Sequence, residues 1–277
     1  VSATAVDHRA ALQRFSPARL GAMVLRYLYL LRSSWPRTLE LLYWPAIQMI
    51  LWGFTSKFLM TNSSYVARAG GVLLAAVMLW DVMFRGQLGV SVSFLEELWS
   101  RNLGHLFVSP LRPYEWVLSL LTMSLVRVII GVVPAALLAI PLYHYSIFTL
   151  GPPLIAFFVL LLIMGWGLGL MIGALLLRHG LGAESLAWLA VFLLAPASAV
   201  YYPVSVLPPW LQYLAWALPS AHVFEGMRAV MFEGVFRVDH FMAAAALDLV
   251  YLLFGGAIFL YAFRQARQRG ALLQMGE

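Results

Sequence analysis

Four charged residues, Asp81, Arg85, Arg127 and Asp248, sit inside long apolar runs of the sequence. An ionic side chain at the centre of a bilayer costs at least about 2.5–3.5 kcal/mol on insertion scales, so each must face protein or water. Two roles follow. The charges line a polar pathway or gate, or Asp81 pairs with Arg85 one helical turn away and locks helices together. The structural role is the stronger reading, because opposite charges four residues apart neutralise each other without a ligand. Glu96 and Glu97 have the chemistry of general acids or metal ligands, but no partner acids cluster near them in sequence. They read instead as an exposed cap and as an ion pair, Glu97 lying four residues before Arg101. His222, Glu225 and Arg228 fall close together and offer either a gate or a local hydrogen-bonded group. His105, His144, His179, His222 and His240 are scattered without metal-ligand spacing, so no metal is assigned.

The elements that must hold these residues are set by solvent preference. Hydrophobic residues make up 62% of the 277 and charged residues 11%, against roughly 25% charged in ordinary globular domains; the mean hydropathy is +0.85. Crossing a hydrocarbon core of ~30 Å takes about 20 apolar residues in a helix. Six runs qualify: 39–60, 71–94, 114–142, 153–177, 185–202 and 241–263. They are continuously apolar, whereas spanning β-strands alternate over segments of about 10 residues. The expected fold is an all-α integral membrane domain over 1–277 with six transmembrane helices.

Connecting segments are equally patterned. Over 15–34, Ser16 and Pro17 start a helix on which Leu20, Met23, Val24, Tyr27, Leu28 and Leu31 form one stripe flanked by Arg19, Arg26 and Arg32. That is an amphipathic helix lying in the membrane interface. Over 95–108, Leu95, Trp99, Leu103 and Leu106 recur at helical spacing, and Pro110 ends the stretch. Gly165, Gly169 and Gly173 make a small-residue ridge for close helix approach. The segment 203–239, divided by Pro208, Pro209 and Pro219 and carrying Trp210, Tyr213 and Trp216, reads as one or two short re-entrant or interfacial helices on the external side. Basic residues concentrate before the first run (Arg9, Arg14, Arg19, Arg26, Arg32, Arg37), after the last (Arg264, Arg267, Arg269), and at Arg101, Arg112 and Arg178. The opposite faces have only Lys57, Arg68, Arg228 and Arg237. Both termini are therefore expected in the cytoplasm. The net charge of +6 is a topology signal, and no nucleic-acid partner is expected, because the arginines flank runs instead of forming one basic face. There is no cysteine, which excludes thiolate and disulfide chemistry, and no Gly-rich Lys-Ser/Thr phosphate loop.

This order of elements resembles the ABC-2-type permease family over nearly the whole chain. Arg101-Asn102-Leu103 with Leu106, Val108, Ser109 and Pro110 is similar to the family's coupling-helix pattern. Leu207-Pro208-Pro209-Trp210, Leu218-Pro219-Ser220 and Glu225-Gly226-Met227-Arg228 resemble its segment before the last helix. Leu218 stands where the family usually has Asn, and Gly104-His105 stand where acids or amides are common. The resemblance implies a transport subunit of a bacterial exporter in the cytoplasmic (inner) membrane and not an enzyme. It implies no cofactor in this chain, with ATP and Mg bound by a separate ABC ATPase in two copies. A second copy of this chain and membrane lipid are the other implied partners. Glu96, Glu97, Trp99, Arg101, Asn102, Leu103 and Leu106 would couple to the ATPase, the apolar stripe pressing into its groove. The implied substrate is amphipathic, lipid-linked or polysaccharide-like. The competing readings are a proton-coupled secondary transporter, for which Asp81 and Asp248 are candidate proton sites but inverted repeats are missing; a membrane transferase, which lacks its cluster of acids; and an ABC uptake permease.

Overall fold

The computed structural model of the chain describes residues 15–62 and 64–268. Arg9, Arg14 and Arg269, counted above in the basic flanks, and the side chain of Arg68, counted on the opposite faces, lie outside what is described. Among the described residues there is no strand, and the elements are α1 (Pro17–Ser33), α2 (Trp35–Asn62), α3 (Ser64–Trp99), α4 (Leu103–Val108), α5 (Pro113–Tyr143), α6 (Pro152–His179), α7 (Glu184–Leu194), α8 (Pro209–Trp216), α9 (Pro219–Glu233) and α10 (Val238–Gln268). Four stretches among the described residues are long and apolar enough to cross a membrane: Gly71–Trp99, Pro113–Tyr143, Pro152–Leu194 and Val238–Gln268. The protein is an all-α integral membrane protein.

Local chemistry accounts for the ends of several helices. Pro17 opens α1 behind Ser16, whose hydroxyl oxygen accepts the Arg19 N–H at 3.5 Å. Pro113 opens α5, and Glu115 at its third position accepts the Arg112 N–H at 3.0 Å. The fifth apolar run behaves differently from its composition. Helix α7 stops at Leu194 after 11 residues, although the apolar sequence continues to residue 202. A helical turn at Gly180–Ala183 joins it to α6. It packs antiparallel to α3: the α7 start meets the α3 end where the Trp99 indole N–H donates to Glu184 at 3.3 Å, and farther along Phe192 packs on Phe84 with ring centroids 6.0 Å apart.

Helix α3 is the central post, packed against α2, α5, α6 and α7, while α6 lies between α3 and α10. The glycine ridge of α6 finds its partners within this chain. A Cβ on Gly165 would lie 2.6 Å from the Met83 carbonyl oxygen, and one on Gly169 2.8 Å from Val90, both on α3. On the other side, a Cβ on Gly255 of α10 would lie 2.5 Å from the Gly167 carbonyl oxygen. Small residues thus let backbones touch where side chains would hold them apart. Two large apolar cores result among the described residues, beside a small one at Ala199, Val204, Leu207, Ala215 and Ala221. One surrounds the first half of α3 with Phe157, Leu161, Phe224 and Met227; the other surrounds its last turns with Tyr27, Leu103, Trp116 and Phe259.

Candidate functional site

The helix expected over 95–108 is broken. Helix α3 ends at Trp99, Arg101 takes a left-handed backbone (φ 52°), and α4 restarts at Leu103. The hydrogen bonds explain the break. The Asn102 N–H donates to the Glu97 carbonyl and the Arg101 N–H to the Leu98 carbonyl, each at 3.0 Å. This is the Schellman closure, which normally puts glycine where Arg101 stands. The resulting elbow turns the predicted stripe inward. Leu95, Leu103 and Leu106 are buried in the chain's own core with Trp116, so they are not presented to a partner's groove. Ser100, Arg101 and His105 are exposed instead, and Trp99, 48% exposed, holds Glu184.

Among the ion pairs of the described residues Glu97 is matched with Arg26 and not with the expected Arg101. Glu97 is buried, at 1% exposure, and takes both terminal nitrogens of Arg26 on its two oxygens, the longer bond at 3.0 Å. It also accepts the Asn102 side-chain N–H at 2.8 Å. One residue earlier, Glu96 accepts Arg127 of α5 at 3.0 Å and lies 3.5 Å from Arg37 of α2. Neither acid is the exposed cap that its position implied. A third lock ties α1 to α5: Glu115 receives the Ser16 N–H at 2.9 Å and two nitrogens of Arg19 at 2.9 and 2.6 Å. Beside it the Trp116 indole N–H donates to the Tyr27 hydroxyl at 3.0 Å. Burial pushes the Tyr27 hydroxyl pKa up, which keeps this hydroxyl neutral.

Between α2, α3, α5 and α7 the Glu96 lock borders a cavity of about 450 Å³. Asp81 and Arg85 lie in its wall, the Arg85 Nε donating to Asp81 at 2.6 Å. The two sequence readings of this pair are therefore compatible, since the charges neutralise each other and line a space as well. Arg127 and Glu96 are also in the wall. Trp44, Trp99, Trp188 and Phe192, each partly exposed, make its rim. Asp248 is not brought to this site. It is buried at 1% exposure in α10, and neither carboxylate oxygen has a hydrogen-bond partner among the described residues.

The group His222, Glu225 and Arg228 divides in two. Glu225 accepts the Val204 N–H at 2.6 Å and pairs with Arg228 at 3.1 Å, while Arg228 donates to the Ala199 carbonyl at 2.9 Å. His222 faces elsewhere: its Nε2 lies 3.0 Å from the Trp216 carbonyl, and its Nδ1 lies 3.3 Å from the Nδ1 of His240. These histidines, unpaired in the sequence reading, form a pair against Trp216, on which His240 stacks while His222 lies tilted. Among the described residues no group of three potential ligands could hold a metal.

Long apolar helices folded around a cavity with charged side chains in its wall, with an exposed elbow at the end of the central helix, define an integral membrane protein with a polar site among its helices. The chain belongs to the ABC-2 type transporter family, which it matches over residues 27–232. No curated protein matches it. It is an ABC transporter permease, a class of membrane subunit that pairs with an ABC ATPase. The matched region runs from Tyr27 in α1 to the end of α9, and so contains the elbow, the cavity and all three acids of the locks.

Proposed function

We propose that this permease is the transmembrane half of an ATP-driven exporter. Two copies work with two ATPase subunits that hold ATP and Mg, in a bacterial cytoplasmic membrane with both termini inside. Membrane lipid covers outward faces such as Leu249, Leu253 and Phe254 of α10. The observation that carries the reading is the adjacency of Glu96 and Glu97 on the last turn of α3. Glu97 holds the elbow and α1, and Glu96 holds the cavity wall on α5. A push on the exposed elbow residues Arg101 and His105 moves the end of α3, and that motion is felt at the cavity one residue away. Rocking of helices about such a space gives alternating access. The substrate expected from the family resemblance is amphipathic, lipid-linked or polysaccharide-like.

The test is co-purification in detergent with the cognate ATPase, followed by ATP turnover with an Arg101→Glu, His105→Glu double variant. A two-plus-two complex is expected, with permease-dependent turnover lowered at least tenfold while the variant stays folded. If the chain purifies alone and the variant has no effect, the reading fails. Changing Leu103 would be uninformative, since it is a core residue at 2% exposure. The rival proton-coupled carrier is favoured by one observation, the unpartnered carboxylate of Asp248. Asp248→Asn separates the two: the ABC reading expects ATP turnover within about twofold of the parent, and the carrier reading expects transport to cease.

A further inference from the structure

A second group of titratable side chains lies outside the cavity wall, where α10 begins beside α9. His222 stands in the opening turn of α9 and His240 in the opening turn of α10. The helices approach there: a Cβ on Gly226, one turn beyond His222, would lie 3.8 Å from the Cβ of His240. The Nδ1 atoms of the two imidazoles are 3.3 Å apart. A carbonyl oxygen can only accept, so the His222 Nε2, 3.0 Å from the Trp216 carbonyl, bears the ring hydrogen. The Nδ1 of neutral His222 therefore keeps its lone pair and faces His240. The ring of His240 is held in turn by Trp216, on which it stacks at 5.7 Å with the planes 9° apart. Both imidazoles are only partly buried, so an ion from solvent can reach them.

We propose that His222 and His240 bind a zinc(II) ion through their Nδ1 atoms. The distance between these atoms selects the metal. Two nitrogens, each ~2.0–2.1 Å from a zinc ion, stand at the observed 3.3 Å when the angle at the metal is ~105–110°, the tetrahedral value. A right angle, as square-planar copper(II) or nickel(II) requires, would bring them to ~2.9 Å. The outer contact is also that of a ligand, because metal-bound histidines donate their other ring N–H to a carbonyl, a carboxylate or water, as His222 does to Trp216. A hydrogen shared between the two Nδ1 atoms moves to the Nε2 of His240 when the ion takes its place, and each ring turns slightly to aim at the metal. Among the described residues no third ligand joins them, so water fills the other positions. Asp239, next to His240, already has its two oxygens on Arg237 at 3.1 and 3.2 Å. The ion clamps α9 to α10, and the site stands independently of the exporter reading.

Isothermal titration of the full chain in a neutral maltoside micelle tests this, with protein that carries no polyhistidine tag and has been freed of metal by a chelator. Zinc chloride is expected to bind at one ion per chain, and magnesium chloride to give no heat beyond dilution. His222→Gln and His240→Gln should each weaken zinc binding at least tenfold, since either change breaks the chelate. His179→Gln, which alters an exposed histidine elsewhere, should leave it unchanged. Zinc should also raise the thermal midpoint of the parent, as any ligand of the folded state does, and of neither histidine-pair variant. If one of these two variants elutes as aggregate, the other carries the test. Absence of zinc binding, equal binding of magnesium, or zinc binding that survives in the pair variants overturns the proposal and leaves the two imidazoles as a hydrogen-bonded pair.

Discussion

The elbow and the seam between α6 and α10 hold helices together by opposite means. At the elbow, four helices meet through carboxylates that each serve two or more partners, Glu96 and Glu97 from α3 and Glu115 from α5. At the seam, backbones meet through glycine, and among the described residues it has no ion pair and the nearby Asp248 carboxylate has no hydrogen bond. Charge-assisted bonds tolerate a change of partner or a shift of some tenths of an ångström, whereas a backbone-to-backbone contact has one geometry. The seam therefore fixes the spacing of two backbones, whereas the elbow ties its helices through side chains.

The contrast can be broken most severely at the seam. Gly255→Leu puts a branched side chain where even a Cβ would be 2.5 Å from the Gly167 oxygen, and a loss above about 3 kcal/mol is expected, the upper end of overpacking costs. Thermal unfolding and the size-exclusion profile in detergent measure it; a variant as stable as the parent would show that the seam yields. At the elbow, Glu97→Ala should cost about 1.5–3 kcal/mol, the range for hydrogen bonds to charged groups. The partly solvated Arg26 holds the cost to that range. A cycle with Arg26→Ala should return a coupling energy of about 1–2 kcal/mol, and additivity of the two changes would deny the lock.

The smallest effect concerns pH. Burial lowers the pKa of His222, the bond to the Trp216 carbonyl opposes this, and the neighbouring His240 adds to the lowering. A lowered histidine binds fewer protons folded than unfolded. Its contribution to stability is therefore present above the ordinary histidine range near ~6.5 and is lost as the pH falls through the folded value. The midpoint of unfolding should fall modestly from pH 7 to pH 5, and less so in His222→Gln. Equal pH dependence in parent and variant would mean that the pair is inert.

Sequence alone reveals the features that depend on local pattern. The start of α1 was legible in Ser16 and Pro17, the long apolar runs in composition, and the close-packing face of α6 in its glycines. The elbow was not, because its left-handed position holds Arg101 while the nearest glycine, Gly104, is helical. Nor were the true partners of Glu96 and Glu97. Arg127 is 31 residues from Glu96 and Arg26 is 71 from Glu97, and helical spacing favours the neighbour at four. The end of α7 was hidden for a third reason: apolar residues continue past it, so hydropathy could not mark where the helix stops. Of the candidate site, the Asp81–Arg85 pair could be read directly, and Arg127 could be flagged though not paired.

The short α7 has a consequence for how the protein is made. Eleven residues rise ~16 Å, about half of a ~30 Å hydrocarbon core, and the backbone beyond must find partners inside the protein. One partner is Arg228, which satisfies the Ala199 carbonyl from 29 residues downstream. At ~5–20 residues per second of synthesis, that arginine emerges ~1–6 s after the turn it serves. The Ala199 carbonyl therefore gains this partner only after α9 has been made.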